Sequence, residues 1–266
     1  MKSYAILLFG AFYGMIYLKF FAKEGFFMAI KTVLFDLDGT LLPMDLDTFI
    51  KAYFRGIAEK MASFGYDSKK LVDAIWQGTG AMVKNNSDQT NEHVFWQAVT
   101  SIYGEQILDD QKLFDQFYAS DFPKIRAVCG YDPMAAQAVY RLKEKGYPVV
   151  LATSPIFPAV ATQQRICWAG LQPEDFLFYT TYENCRRAKP SLDYYRDILD
   201  KLQLPAKECL MVGNDVAEDM VAQQLGMQVF LLTDCLINKY DQDISPYPQG
   251  GFPELLRYIE TLPNLS

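Results

Sequence analysis

From about residue 30 onward, short apolar runs alternate with longer amphipathic stretches. The run "IKTVLFD" (30–36) is short and rich in Val, Leu and Phe, which predicts a buried strand. Similar runs predict four more strands, at 147–154, 176–180, 208–213 and 227–233. Stretches with helical spacing of apolar residues predict helices at 132–146, 158–169, 191–203, 216–225 and 252–261. Strand and helix therefore alternate through most of the chain.

One long region interrupts this alternation after the first strand. Phe49, Tyr53, Ile57 and Met61 recur four residues apart and predict a helix from about residue 45 to 64. Further helical patterns cover roughly 68–78, 90–103 and 109–120. Because no strand-like run falls between residues 45 and 127, this region is predicted to be a separate helical insertion.

The order of these elements predicts an α/β fold. Alternating strands and helices with short links favour a Rossmann-like, doubly wound parallel sheet with helices on both faces. The helical insertion would lie above the carboxyl end of the first strand. The predicted domains are a core of residues 29–44 and 128–266, a helical domain of residues 45–127, and an apolar N-terminal extension of residues 1–28.

The N-terminal extension admits three interpretations. Its run "AILLFGAFYGMIYL" (5–18) is continuously apolar but shorter than the roughly 20 residues that cross a bilayer. The segment would be a membrane anchor, a helix docked on the fold, or a stretch read from a wrongly assigned upstream start, with the natural start at Met28. The last is favoured because "MAIKTVLFDLDGT" leads directly into the first strand.

Composition and charge exclude several classes of function. The net charge of −7 disfavours a nucleic-acid partner. The five cysteines are widely spaced without a CxxC pair, so neither a disulfide framework nor a zinc site is indicated. His93 is the single histidine, which disfavours a Ser-His-Asp triad. We expect a reduced, cytoplasmic setting, with a membrane partner only if residues 1–27 are a true anchor.

Polar side chains follow several of the predicted strands. In open α/β sheets, ligands bind outside the carboxyl ends of the strands, so these side chains are expected to converge. They are Asp36 and Asp38 after the first strand, Thr153 and Ser154 after the second, Lys189 where a helix begins, and Asn214 and Asp215 after "LMVG".

These residue types favour phosphate chemistry. Carboxylates gathered in one crevice need a counter-charge, and Mg²⁺ with oxygen ligands meets that need. Lys189 and the hydroxyl of Thr153 would then face an anion, and together with the metal they suit a phosphate group. One aspartate can attack phosphorus while the second exchanges a proton with the leaving oxygen.

Four ordered segments resemble the signatures of the haloacid dehalogenase (HAD) superfamily of hydrolases. They are "FDLDGTLL", "VVLATS", "AKPSLDYY" and "VGNDVAEDM". The helical insertion resembles the helical (C1-type) cap of that family, which commonly accompanies small phosphorylated metabolites. The resemblance implies a Mg²⁺-dependent phosphatase that acts on such a small-molecule phosphate ester through an aspartyl-phosphate.

The resemblance also implies roles for individual residues. Asp36 would be the nucleophile, and Asp38 would be the general acid and base with a main-chain carbonyl on the metal. Thr153, Ser154 and Lys189 would bind the phosphate. The other implied site residues are Asp36, Asp38 and Asp215 as metal ligands, with Gly39, Thr40 and Asp219 in support.

The fourth signature departs from the usual family pattern. The family usually has Gly-Asp where this chain has Gly213, Asn214 and Asp215. Aligned without a gap, Asn214 takes the place of the metal ligand; aligned on the four-residue step to Asp219, Asp215 does. Because a carboxylate binds Mg²⁺ better than an amide does, Asp215 is favoured here and Asn214 is the alternate.

Other functions on the same fold stay open at this point. A haloacid dehalogenase needs no second acid, so Asp38 argues against it. A sugar phosphomutase would share all four signatures, and a phosphonatase would need a cap lysine that nothing in the sequence marks. A non-catalytic regulatory protein would have no need for the intact acids.

Overall fold

The structure, a computed structural model, describes residues 30–265. Five parallel strands form one sheet in the order β2-β1-β3-β4-β5. Their bounds are Thr32–Phe35 (β1), Val149–Leu151 (β2), Cys209–Gly213 (β3), Gln228–Leu232 (β4) and Gln249–Gly250 (β5). The first strand in the chain is thus at an inner position of the sheet, between β2 and β3.

Eight α-helices accompany the sheet within the described residues. Those of the insertion are Leu46–Ala62 (α1), Ser68–Val83 (α2), Asn91–Tyr103 (α3) and Gln111–Ser120 (α4). Those of the core are Pro133–Glu144 (α5), Ala159–Trp168 (α6), Leu192–Leu202 (α7) and Phe252–Thr261 (α8). Short 3₁₀ helices include Phe122–Val128 and Met220–Leu225.

The residues of β1 are buried on both sides of the sheet. Val33 and Phe35 belong to one hydrophobic cluster, whereas Leu34 belongs to another on the opposite face. Side chains of successive strand residues point to opposite faces, so a strand covered on both faces must be apolar throughout. This explains the continuous apolar run at 33–35. The strand ends there, and Asp36 follows at the edge of the sheet.

The helical insertion begins and ends at neighbouring points of the core. Met44 forms an antiparallel bridge with Cys129, and the amide of Gly130 donates to the carbonyl of Pro43 at 2.7 Å. Helices α1–α4 lie between these points, so the predicted Rossmann-like α/β fold with an inserted helical cap is confirmed. The bounds 45–127 for the cap stay a prediction. The bridge between Met44 and Cys129, just outside those bounds, supports it.

Two predicted elements differ from the structure, and one strand was not predicted. The predicted helix at 216–225 is a turn followed by the 3₁₀ helix Met220–Leu225, and Asp219, directly before that helix, is held by its bond to Lys189, a contact outside the local sequence. The predicted strand at 176–180 makes main-chain hydrogen bonds to β2 but forms only one isolated bridge, between Leu151 and Tyr179. The two-residue β5 is too short and polar to leave a pattern.

The predicted N-terminal extension, residues 1–28, lies outside the described residues, which begin at Ile30. The three interpretations of that segment therefore stay predictions. Within residues 30–265, no helix has the length and apolar character needed to cross a membrane.

Candidate active site

A tight turn after β1 places two aspartates at the carboxyl end of the sheet. The backbone at Gly39 has φ +81°, and a Cβ atom there would lie 2.4 Å from Nδ2 of Asn214. Glycine is therefore required at this position for both conformation and space. The turn holds Asp36 and Asp38 along one wall of a cavity between the sheet and the cap.

Lys189 lies buried between two carboxylates. Its Nζ donates to Oδ1 of Asp36 at 2.8 Å and to Oδ1 of Asp219 at 2.5 Å. Only 1% of Lys189 is exposed. Burial opposes its charge, but Asp219 and Asp36 raise the pKa of Lys189 well above its ordinary value. The two carboxylates therefore favour the charged form of Lys189.

The hydroxyl of Thr40 joins the first and fourth signatures. Its Oγ1 lies 3.3 Å from Oδ2 of Asp36 and donates to Oδ1 of Asn214 at 2.9 Å. Nδ2 of Asn214 donates in turn to the carbonyl of Cys235 at 2.7 Å, which fixes the orientation of the amide. Asn214 therefore presents its oxygen to Thr40, whose hydroxyl also lies beside Asp36.

The carboxylates of Asp215 and Asp219 bind main-chain amides of the same turn. Oδ1 of Asp215 accepts from the amides of Ala217 and Glu218 at 2.7 and 2.9 Å, and Oδ2 of Asp219 accepts from the amide of Asp215 at 3.0 Å. Both carboxylates therefore close the loop that follows β3 by binding its main-chain amides. One oxygen of Asp215 is thus engaged within its own loop.

The second strand brings Thr153 and Ser154 to the same cavity. The carbonyl of Thr153 accepts hydrogen bonds from the hydroxyls of Thr180 at 2.6 Å and Tyr194 at 2.9 Å. These bonds fix the backbone after β2. Of the residues predicted for the site, Asp36, Asp38, Thr153 and Ser154 line the cavity directly, whereas Lys189 lies behind Asp36.

Arg165 is a site residue that the sequence did not mark. It lies in α6, is fully buried, and donates to Oδ2 of Asp38. Its guanidinium also lies 4.5 Å from the ring centroid of Phe157. The other carboxylate oxygen of Asp38, Oδ1, is buried without a hydrogen-bond partner among residues 30–265. Burial raises the pKa of Asp38, and Arg165 acts against that rise.

Glu218 also lines the cavity, together with Asp36 and Asp38. Burial raises the pKa of Glu218 to about 7, while the nearby Lys189 opposes that rise. Its position directly before Asp219 in the fourth signature was the available signal in the sequence.

The oxygen atoms gathered here fit a hard divalent cation. Asp36 and Asn214 are joined through the hydroxyl of Thr40. Within residues 30–265, no three His, Cys, Asp or Glu side chains are grouped closely enough to hold a metal by themselves. A cation at this place would therefore also need amide or main-chain oxygens, which Mg²⁺ accepts readily.

We expect the ion pair between Arg165 and Asp38 to stabilise the fold. Arg165→Met should lower the free energy of unfolding by about 3 kcal/mol, because Asp38 would keep a largely buried charge without its partner. Denaturant unfolding measures this change. The matched control combines Arg165→Met with Asp38→Asn and should be more stable than Arg165→Met alone. Equal stabilities of these two variants would contradict the pairing.

Comparisons with known proteins identify similar chains. A family model for haloacid dehalogenase-like hydrolases matches residues 30–226. A phosphoglycolate phosphatase from Aliivibrio fischeri is 26% identical over 211 residues, which cover 78% of this chain and 86% of that protein. A phosphoglycolate phosphatase from Vibrio parahaemolyticus is 24% identical over 211 residues, which cover 77% of this chain and 84% of that protein.

Solved structures share the same architecture. A HAD phosphatase from Thermococcus onnurineus has a TM-score of 0.55 and 17% identity, over 89% of this chain and all of that one (100%). A predicted phosphoglycolate phosphatase from Haemophilus somnus has a TM-score of 0.52 and 19% identity, over 86% of this chain and 97% of that one. These similarities support the fold.

Proposed function

The chain belongs to the haloacid dehalogenase-like hydrolases and is a phosphoric monoester hydrolase, and we propose that it dephosphorylates a small metabolite in a Mg²⁺-dependent reaction through an aspartyl-phosphate on Asp36. The observation that carries this proposal is the buried Lys189, bonded to Asp36 at the edge of a cavity that Asp38 also lines. Buried charges of both signs at the carboxyl end of a parallel sheet favour a reactive site over a structural one.

In the first step, a carboxylate oxygen of Asp36 attacks phosphorus and the bond to the alcohol oxygen breaks. Lys189 holds a carboxylate oxygen of Asp36 in place and neutralises negative charge at the transferred group. Thr153 and Ser154, which line the same cavity, supply hydrogen bonds to the phosphate oxygens.

Asp38 handles the proton in both steps. It gives a proton to the leaving alcohol and later takes one from the water that attacks the aspartyl-phosphate. Arg165 holds Oδ2 of Asp38, which leaves Oδ1 to carry the proton. Because Arg165 fixes the orientation of the carboxyl group without lining the cavity, it is a positioning residue.

Mg²⁺, when bound, would neutralise charge on the phosphate oxygens. We propose that Asp36, the main-chain carbonyl of Asp38 and the amide oxygen of Asn214 hold it. The shared contact with Thr40 supports Asn214, since the hydroxyl of Thr40 contacts both its amide oxygen and Oδ2 of Asp36. Asp215, which the residue chemistry favoured, is the alternative, and one of its oxygens already binds two main-chain amides.

Removal of divalent metal should abolish phosphatase activity. Chelation with EDTA is expected to reduce release of p-nitrophenolate from p-nitrophenyl phosphate by about a hundredfold or more, and added Mg²⁺ should restore it. Activity that persists after complete chelation would contradict the proposed metal dependence.

The two candidate ligands are distinguished by matched substitutions. Asn214→Ala is expected to raise the Mg²⁺ concentration for half-maximal activity by roughly tenfold to a hundredfold, and Asp215→Ala by less. The reverse order would assign the ligand to Asp215.

A further inference from the structure

The cavity that begins at Asp36 continues deep into the helical cap. Its volume is about 200 Å³, and the same space is bounded by Asp36 and Asp38 below and by helices of the cap above. Any alcohol esterified to a phosphate at Asp36 must therefore occupy this upper part. The walls of the upper part decide which alcohols fit.

Aromatic rings dominate the upper walls. Phe54 and Trp76 stack with ring centroids 4.9 Å apart, and Trp96 meets Phe114 edge to face at 5.3 Å. Phe157 completes the wall nearest the catalytic aspartates. A wall of mutually packed rings offers an apolar surface for another ring or an aliphatic group.

Some of the polar groups of these walls already form hydrogen bonds within the protein. The hydroxyls of Tyr53 and Tyr118 bond to each other at 3.0 Å, and the hydroxyl of Thr79 donates to the carbonyl of Ile75 at 2.9 Å. A substrate with many hydroxyl groups would lose its bonds to water here and gain few in return.

Charge in the cavity has a single sign. Within residues 30–265, the lining includes no Lys, Arg or His, whereas it includes four carboxyl side chains, those of Asp36, Asp38, Asp115 and Glu218. The nearby cationic side chains already bind carboxylates of the protein. Lys189 binds Asp36 and Asp219, and Arg165 binds Asp38. A second anionic group on the substrate would have no counter-charge in the upper cavity.

From this lining we infer that the enzyme is specific for phosphate monoesters of uncharged alcohols bearing an aromatic or apolar group, and that it discriminates against esters carrying a carboxylate or a second phosphate. The inference rests on the proposed phosphatase activity. About 200 Å³ leaves room for one aromatic ring, since a cavity of roughly 150 Å³ admits benzene.

A matched pair of esters tests the discrimination. Benzyl phosphate and 4-(phosphonooxymethyl)benzoate share the same leaving oxygen and differ by one remote carboxylate. We expect kcat/KM for benzyl phosphate to exceed that for the carboxylated ester by at least about tenfold in the presence of Mg²⁺. Equal values, or a preference for the carboxylated ester, would overturn the inference.

Trp76→Ala tests whether the ring of the substrate occupies the aromatic wall. Half of Trp76 is exposed (50%), so its removal should not prevent folding. We expect kcat/KM for benzyl phosphate, divided by that for methyl phosphate, to fall by about tenfold. A ratio that does not change would overturn the assignment of the ring to this wall.

Binding gives a second readout that does not depend on turnover. Trp76 and Trp96 both line the cavity, so their fluorescence should respond to 2-phenylethylphosphonate, the non-hydrolysable analogue of benzyl phosphate. Its 4-carboxy derivative should bind at least about tenfold more weakly. Equal binding of the two phosphonates would overturn the inference.

The outcomes separate this inference from the proposed function. Hydrolysis of methyl phosphate with the same kcat/KM as benzyl phosphate would leave the phosphatase and overturn only the substrate class. A folded, Mg²⁺-loaded chain that hydrolyses none of these esters would overturn both.

Discussion

Asp36→Asn is expected to reduce kcat for p-nitrophenyl phosphate by roughly 10⁴-fold or more, because the amide cannot attack phosphorus. The measurement is release of p-nitrophenolate in the presence of Mg²⁺. This is the largest effect that we expect from any single substitution in the site, since no other residue supplies the bond to the transferred phosphate.

The loss should not come from unfolding. The amide oxygen of an asparagine can still accept the hydrogen bond from Lys189, and Lys189 keeps its bond to Asp219. The free energy of unfolding of Asp36→Asn should therefore stay within about 1–2 kcal/mol of the native value. Substantial activity in the folded Asp36→Asn variant would contradict the assignment of the nucleophile.

Lys189→Met is expected to impair both catalysis and stability. The loss of a buried donor beside the transferred phosphate should lower kcat by about 10³-fold. Two carboxylates, Asp36 and Asp219, would lose their buried counter-charge, so the free energy of unfolding should fall by about 3–5 kcal/mol. Enzyme kinetics and denaturant unfolding measure the two effects separately.

A double variant separates the two roles of Lys189. Lys189→Met combined with Asp219→Asn removes one uncompensated carboxylate, so part of the lost stability should return. Activity should not return, because the ammonium group beside Asp36 is still absent. Recovery of activity along with stability would mean that Lys189 acts only through the fold.

Much of the fold was predictable because its buried strands are continuous apolar runs. The strands β1, β2, β3 and β4 are covered on both faces, and such strands leave a clear pattern in the sequence. The pattern failed after Asp215. The apolar spacing there is helical, but the chain forms a turn and the 3₁₀ helix Met220–Leu225, and Asp219 is bonded to Lys189, a tertiary contact that no local spacing encodes.

The candidate site was predictable where its residues follow strands or, like Lys189, belong to an ordered signature, and was not where they lie outside both. Asp36, Asp38 and Thr153 follow β1 and β2, and parallel strands end at one edge of the sheet. Arg165 lies in the last turn of a helix, far along the chain from Asp38, so no local pattern relates the two. The aromatic walls were also unpredicted, since ring spacing in the cap suits packing between helices equally well.

The aspartyl-phosphate on Asp36 is the central claim, and trapping it is the most direct test. In Asp38→Asn, p-nitrophenolate can still leave without a proton, whereas the water that should release phosphate lacks its base. The phosphorylated enzyme should therefore accumulate with p-nitrophenyl phosphate and Mg²⁺, and borohydride should reduce its acyl phosphate to homoserine. Peptide mass spectrometry is predicted to find homoserine at position 36. Release of p-nitrophenolate without modification at position 36, or with modification at Asp219 instead, would contradict the mechanism.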